Sequence, residues 1–146
     1  MVRILLIIVL FSAYAGVNND YYEVIKKKSG LKEGEYLAVI YFDNITCAKC
    51  YLEPLEIVKQ VREKNKNIIL KIIALVKCDR DIELKVFKKR IKWEEPLHRD
   101  DGNAKKNLGA YESALLTVVN FEGDKLVHAV AGEMNKSIKK INKYLK

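Results

Sequence analysis

What this chain of 146 residues has little of narrows its class. Three cysteines are too few for a disulfide-scaffolded mini-protein. Two prolines and 7 glycines leave no room for a long flexible linker or a collagen-like repeat. No internal repeat or low-complexity segment interrupts the chain. No apolar run reaches the ~20 residues that a helix needs to cross a bilayer. What is there is ordinary globular material, 49% hydrophobic and 32% charged, which excludes a disordered chain. The length suits one domain and is too short for two ordinary ones. Lys and Arg outnumber Asp and Glu by 27 to 19, giving a formal charge of +8. The lysine clusters at 26–28, 88–89, 105–106 and 139–140 fall on several helices. Positive charge spread this way reads as solvated faces, not as a nucleic-acid stripe. It can still draw acidic partners or an anionic membrane surface.

Residues 1–15 (MVRILLIIVLFSAYA) have the layout of a secretory signal peptide. Arg3 is the basic start, Ile4 to Phe11 the apolar run, and Ala13-Tyr14-Ala15 the small-x-small site before Gly16. The run is too short for a membrane anchor, and no cysteine follows the site to take a lipid. The expected mature domain is residues 16–146, periplasmic or otherwise extracytoplasmic, with no stable membrane insertion after cleavage. Export bears on the cysteines. Outside the cytosol thiols tend to pair, so an odd count leaves one free, reactive, or bonded to another molecule.

Periodicity predicts the elements. Residues 20–28 read as a short helix ended by Gly30. Residues 36–42 (YLAVIYF) and 68–76 (IILKIIALV) read as buried strands. Between them, 47–65 reads as a helix with Leu52, Leu55, Val58 and Val61 inward. A helix over 81–91 presents Leu84, Phe87 and Ile91. A short extended piece follows at 93–97, then a brief helix capped by Asn103 and stopped by Gly109. Residues 115–121 and 125–130 form a hairpin around Glu122-Gly123-Asp124. A last amphipathic helix covers 136–146. Alternating strands and helices imply parallel pairing through right-handed crossovers, and the hairpin adds an antiparallel end. The expected fold is therefore α/β: a three-layer α/β/α sandwich with a mixed central sheet, a β-hairpin and a C-terminal helix.

Cys47-Ala48-Lys49-Cys50 is a C-x-x-C between the first central strand and the first long helix. A helix N-terminus carries unpaired N–H groups and partial positive charge, which favour thiolate at Cys47. Cys50, one turn deeper, is placed to resolve a mixed disulfide on Cys47. A disulfide across two residues closes almost no loop and stabilises little. Its value is redox chemistry. Two alternatives stand beside this reading. A structural zinc site needs four ligands, and only Cys78, His98 and His128 remain, without partner spacing. An inert local disulfide is the other.

On these pieces the chain resembles the thioredoxin-fold superfamily. Within it, the chain is similar to the exported TlpA/ResA-like thiol–disulfide oxidoreductases. The resemblance covers roughly residues 35–132: YLAVIYF, CAKC, IILKIIALV, PLHRDDGNAKKNLGAYES and LLTVVNFEGDKLVHAVAG, with Gly123 in the hairpin turn. It implies catalytic Cys47 and Cys50 and no cofactor. It implies partners that are protein thiols or disulfides, and a redox partner not identified by the sequence. The family often has an acid three residues after the second cysteine, and Glu53 stands there. A carboxylate so placed can exchange a proton with Cys50; an ordinary exposed helix glutamate is the alternative. Three positions depart from the family. Ile45-Thr46 replace the tryptophan before the motif. Lys49 replaces its proline. Ser113-Ala114-Leu115-Leu116 stands where the family has a cis-proline, so a trans peptide is expected. Pro54 falls one residue earlier than the family's helix proline and should kink the helix or shift its start.

Cys78 closes the second parallel strand, at the sheet end where such folds place active sites. It is a candidate third redox thiol or simply a small buried residue. His98 and His128 are the only histidines with which the cysteines could form a copper or zinc site. The working expectation is an exported thiol–disulfide oxidoreductase. The alternatives are a catalytically weak thioredoxin-like protein- or peptide-binding module, and a copper- or zinc-binding chaperone.

Overall fold

The computed structural model describes residues 17–46, 51–124 and 126–145. The expected leader and the CAKC segment lie outside the described residues. The elements, in chain order, are α1 (Asn19–Ser29), β1 (Tyr36–Phe42), α2 (Leu52–Lys64), β2 (Leu70–Lys77) and α3 (Asp81–Arg90). They continue with β3 (Leu97–Asp100), α4 (Ala104–Asn107), β4 (Ala114–Asn120), β5 (Leu126–Val130) and α5 (Met134–Tyr144).

The sheet order is β3-β2-β1-β4-β5. Strands β1, β2 and β3 are parallel, β4 runs antiparallel to β1, and β5 antiparallel to β4. This is the mixed sheet that the sequence pattern predicts. The central strands are apolar on both sides because both faces are covered. Leu37, Val39, Tyr41, Ile73 and Leu75 face α1 and α4. Ala38, Ile40, Phe42, Ile72 and Val76 face α2, α3 and α5. Both β1-α2-β2 and β2-α3-β3 lay their helix on that second face, as crossovers of one hand must. Among the described residues no helix is long and apolar enough to cross a membrane.

Four local expectations need correction. The third strand starts at Leu97, not at Trp93. Trp93 is instead buried, with its indole N–H donating to the Pro96 carbonyl at 3.3 Å. The second strand starts at Leu70, because Ile68 N–H closes a turn onto Asn65 O at 3.0 Å. Asn103 makes no side-chain cap on α4. Asp100 does so, accepting from Ala104 N–H at 3.2 Å. Finally, Leu52 is 57% exposed, while Pro54, Ile57, Val58 and Val61 form the buried face of α2. The i+3 step drifts around a helix of 3.6 residues per turn. Over the span from Leu52 to Val61 it reaches about 180°.

Candidate active site

Among the described candidates, Cys78 follows the C-terminal end of β2 and Glu53 lies in the first turn of α2; open α/β sheets hold their chemistry at such strand ends, and Cys47 and Cys50 lie outside the described residues. Phe42, the last residue of β1, is in register with Val76 of β2. The CAKC segment joins Thr46 to Tyr51, and both of these flanks are described.

Upstream, the loop after β1 is held by side chains. Asn44 Oδ1 accepts from Thr46 N–H at 2.8 Å and from its hydroxyl at 2.6 Å, an Asx-type turn. Lys105 of α4 reaches the same loop. Its ammonium contacts the Asp43 carboxylate, donates to the Glu112 carbonyl at 2.7 Å, and lies 5.5 Å from the Tyr41 ring centre. The Lys105 side chain is only 11% exposed. The sequence reading placed this lysine on a solvated face. The structure makes it a cross-tie between the loop after β1 and the loop before β4.

Downstream, Tyr51 anchors the start of α2. Its ring meets Phe42 and Phe87 edge-on, each at 6.2 Å. Phe42 in turn meets Phe87 at 5.2 Å and Trp93 at 5.7 Å. Such edge-to-face pairs add directional packing to simple burial. The rings form an aromatic base beneath the start of α2, in which the tryptophan and this tyrosine pack. The described part of the helix begins at Leu52 rather than 47, and Pro54 sits in its first turn. No N–H is lost there, because first-turn N–H groups lack helical partners. The unpaired N–H groups of this turn lie directly after Cys50 in sequence.

Glu53 lies in the same turn and is half-buried. Its carboxylate accepts from the Gly132 N–H, at 3.0 Å to one oxygen and 3.4 Å to the other. It therefore latches the start of α2 to the loop between β5 and α5. This partner, 79 residues away, leaves no local mark near Glu53. Gly132 has φ +76°, in the region that favours glycine.

Cys78 follows the last residue of β2 and is half-buried against the core that includes Phe87. It is a free thiol. Burial raises its pKa, with Glu83, Asp81 and Asp79 adding to the rise and Arg99 opposing it. A thiol shifted this way is protonated at neutral pH and weakly nucleophilic. The local chemistry thus favours the reading of a small packed residue.

At the start of β4, Ser113–Ala114 is trans, as are all described peptide bonds. A bulge falls here, with Ala114 opposite Val130 but Leu116 opposite Ala129. Just inside, a polar chain crosses the sheet. Tyr41 Oη donates to Thr117 Oγ1 at 2.7 Å, and that hydroxyl lies 2.9 Å from His128 Nδ1. The Thr117 hydroxyl hydrogen is free to point at the ring, which makes His128 a neutral acceptor there. Burial holds His128 below its ordinary pKa, helped by Lys140 and opposed by a hydrogen bond to the Gly109 backbone.

His98 and His128 do not converge. They sit on β3 and β5, the two edge strands, separated by four strand spacings or about 19 Å. They cannot share one ion. Among the described residues no three His, Cys, Asp or Glu side chains cluster as a metal site.

No protein-family model matches the chain, and no curated protein does. Solved structures do. The thioredoxin domain of a thiol-disulfide oxidoreductase from Bacteroides vulgatus aligns with a TM-score of 0.53 and 16% identity, over 78% of this chain and 81% of that one. A Chlorobium tepidum protein provisionally named thiol:disulfide interchange protein DsbE aligns with a TM-score of 0.56 and 14% identity, over 84% and 85%. DsbF of MTB, solved in mixed oxidised and reduced forms, gives 0.52 and 14%, over 78% and 83%. The fold is thioredoxin-like.

Proposed function

We propose that the protein is an extracytoplasmic thiol–disulfide oxidoreductase that exchanges disulfides with proteins through Cys47 and Cys50. One observation carries the reading. In a thioredoxin-like fold, a C-x-x-C falls in the connection from the C-terminal end of β1 to the N-terminus of α2. Removal of the leader at residues 1–15 belongs to the same proposal.

Cys47 thiolate attacks one sulfur of a client disulfide. A mixed disulfide forms, the client S–S bond breaks, and one client thiolate leaves and takes a proton from water. Cys50, losing its proton, attacks the Cys47 sulfur. The second client thiolate leaves, so the client is reduced by two electrons and the pair becomes a disulfide. Run backwards, the same steps oxidise a client dithiol. The first turn of α2 favours negative charge on the thiols, and Glu53 takes the Cys50 proton.

Alkylation of the purified protein across pH, for wild type, Cys47→Ser and Cys78→Ser, tests this, with insulin disulfide reduction alongside. The expected result is a Cys47 pKa well below the free value of ~8.5. Reductase activity should be lost in Cys47→Ser and kept in Cys78→Ser. An unshifted Cys47 with no reductase activity sinks the proposal.

A further inference from the structure

A groove beside α3 extends this reading from reaction to client, and rests on it. One wall is Ile45, in the loop that leads from β1 to Cys47. The other is α3, where Ile82 and Val86 stand four residues apart on one face, 57% and 59% exposed. Phe87 lines it from below, buried, and the cavity measures about 260 Å³. Large apolar side chains left in water next to a reactive segment mark a contact surface.

Charge distinguishes the two ends. Arg80, at the end of α3 nearer the strand termini, is already engaged. Its guanidinium donates to Glu83 at 2.8 and 3.1 Å. Arg90, at the far end, lies over the Phe87 ring at 5.5 Å. Among the described residues it has no carboxylate partner. Lys88 and Lys89 adjoin it in the last turn. The groove is therefore apolar in its middle, bounded at one end by the paired Arg80 and Glu83 and at the other by a cation, complementary to a chain that is apolar and then acidic.

We propose that this groove receives an extended segment of the client polypeptide, flanking the exchanging cysteine and carrying a carboxylate that meets Arg90. From Ile82 to Arg90 the helix spans about 12 Å, the length of about four extended residues. The carboxylate thus falls about four residues from the client side chain that covers Ile82. Arg90 selects for it, and Ile82 and Val86 supply area. Dithiol exchange and groove occupancy are separable in the test, because Ile82, Val86 and Arg90 stand on α3 and not on the connection that carries the two cysteines.

The test uses fluorescent peptides with an S-methylated cysteine, so that no exchange can occur. Each has an apolar stretch ending in Glu or in Lys, made in both chain directions. Fluorescence anisotropy compares the purified wild type with Val86→Asp and Arg90→Glu. Both substitutions are at exposed helix positions, and circular dichroism confirms folding. In at least one direction, wild type should bind the Glu peptide at least tenfold tighter than the Lys peptide. Arg90→Glu should reverse that preference, and Val86→Asp should weaken the Glu peptide at least tenfold. Equal binding by all three proteins, or no binding by wild type, overturns the proposal. So does a dimer, seen by sedimentation, that the variants dissociate while peptide binding stays the same, since the occupant is then a second copy. Reduction of the small disulfide dithionitrobenzoate by the pre-reduced protein, whose dithiol supplies the two electrons, is measured in parallel. It should be unchanged in both variants. If wild type fails to reduce it, the redox reading falls, while the groove is still judged by the anisotropy.

Discussion

Glu53 has one role in the structure and a second in the proposed mechanism, and chemistry can separate them. Its carboxylate holds the Gly132 N–H at 3.0 Å, and under the proposed mechanism it also takes the Cys50 proton. Glu53→Gln keeps an acceptor oxygen and removes the titratable site. It should melt near wild type but slow the Cys50 resolving step by about 100-fold, the usual size of a lost general base. Glu53→Ala should lose both, with a stability cost of about 1 kcal/mol for the missing hydrogen bond. Stopped-flow resolution of a mixed disulfide and thermal melts read the two effects apart. A Glu53→Gln protein that resolves at the wild-type rate leaves Glu53 only its latch. The C-x-x-C and the place of Glu53 three residues after it can be read from the sequence because that spacing is local; their roles belong to the proposal. The partners cannot be read this way. Gly132 lies 79 residues from Glu53, and Asp43 lies 62 from Lys105. Nothing in a lysine pair such as 105–106 reveals that one member turns inward, because that depends on where α4 docks.

At the scale of elements, the hairpin turn shows how closely α1 is fitted. Gly123 has φ +74°, and a Cβ there would lie 2.9 Å from the Tyr22 ring. Tyr22 is itself fixed, with its hydroxyl donating to the Asn120 carbonyl. Gly34 is a natural control, with φ +80° and nothing within 4 Å. Gly34→Ala should cost only the left-handed backbone, about 1–2 kcal/mol. Gly123→Ala adds overpacking of about 1–3 kcal/mol against the ring. Urea unfolding of both variants should therefore show a larger loss for Gly123→Ala; equal losses would mean that Tyr22 simply swings aside. The order of elements was legible throughout, because buried strands and amphipathic helices write different periods. Their edges were less so. Trp93 and Pro96 looked like strand residues by composition, yet the indole turned into the core and delayed β3 to Leu97. Leu52 looked inward by spacing and proved to face out, because a three-residue step does not track one face of a helix.

For the whole molecule, acid sensitivity follows from its two histidines. Burial lowers the pKa of both His98 and His128, with Lys28 assisting at the first and Lys140 at the second. In the unfolded chain each has a pKa of about 6.5. Between the folded and unfolded values the unfolded chain holds more protons, so stability rises with pH there. The contribution is complete above the unfolded value and is lost as pH falls through the folded ones. Urea midpoints should be level above about pH 7 and decline below about 6.5. His128→Gln should flatten part of that decline; an unchanged slope would remove His128 from the account.

The described flanks of the connection from β1 to α2 are held unequally and form a lopsided rim. On one side the nearly buried Lys105 joins the loop after β1 to the loop before β4 through a carboxylate, a carbonyl and an aromatic ring. On the other, a single N–H shared by the two oxygens of Glu53 joins the first turn of α2 to the β5–α5 loop. Several coordinated contacts resist displacement more than one does. Under the proposed function, a client pressing into this rim meets a stiff jaw and a compliant one. With Tyr51 pinning the start of α2 to Phe42 and Phe87, the part left to give way under that reading is the β5–α5 loop, which Glu53 holds by one N–H.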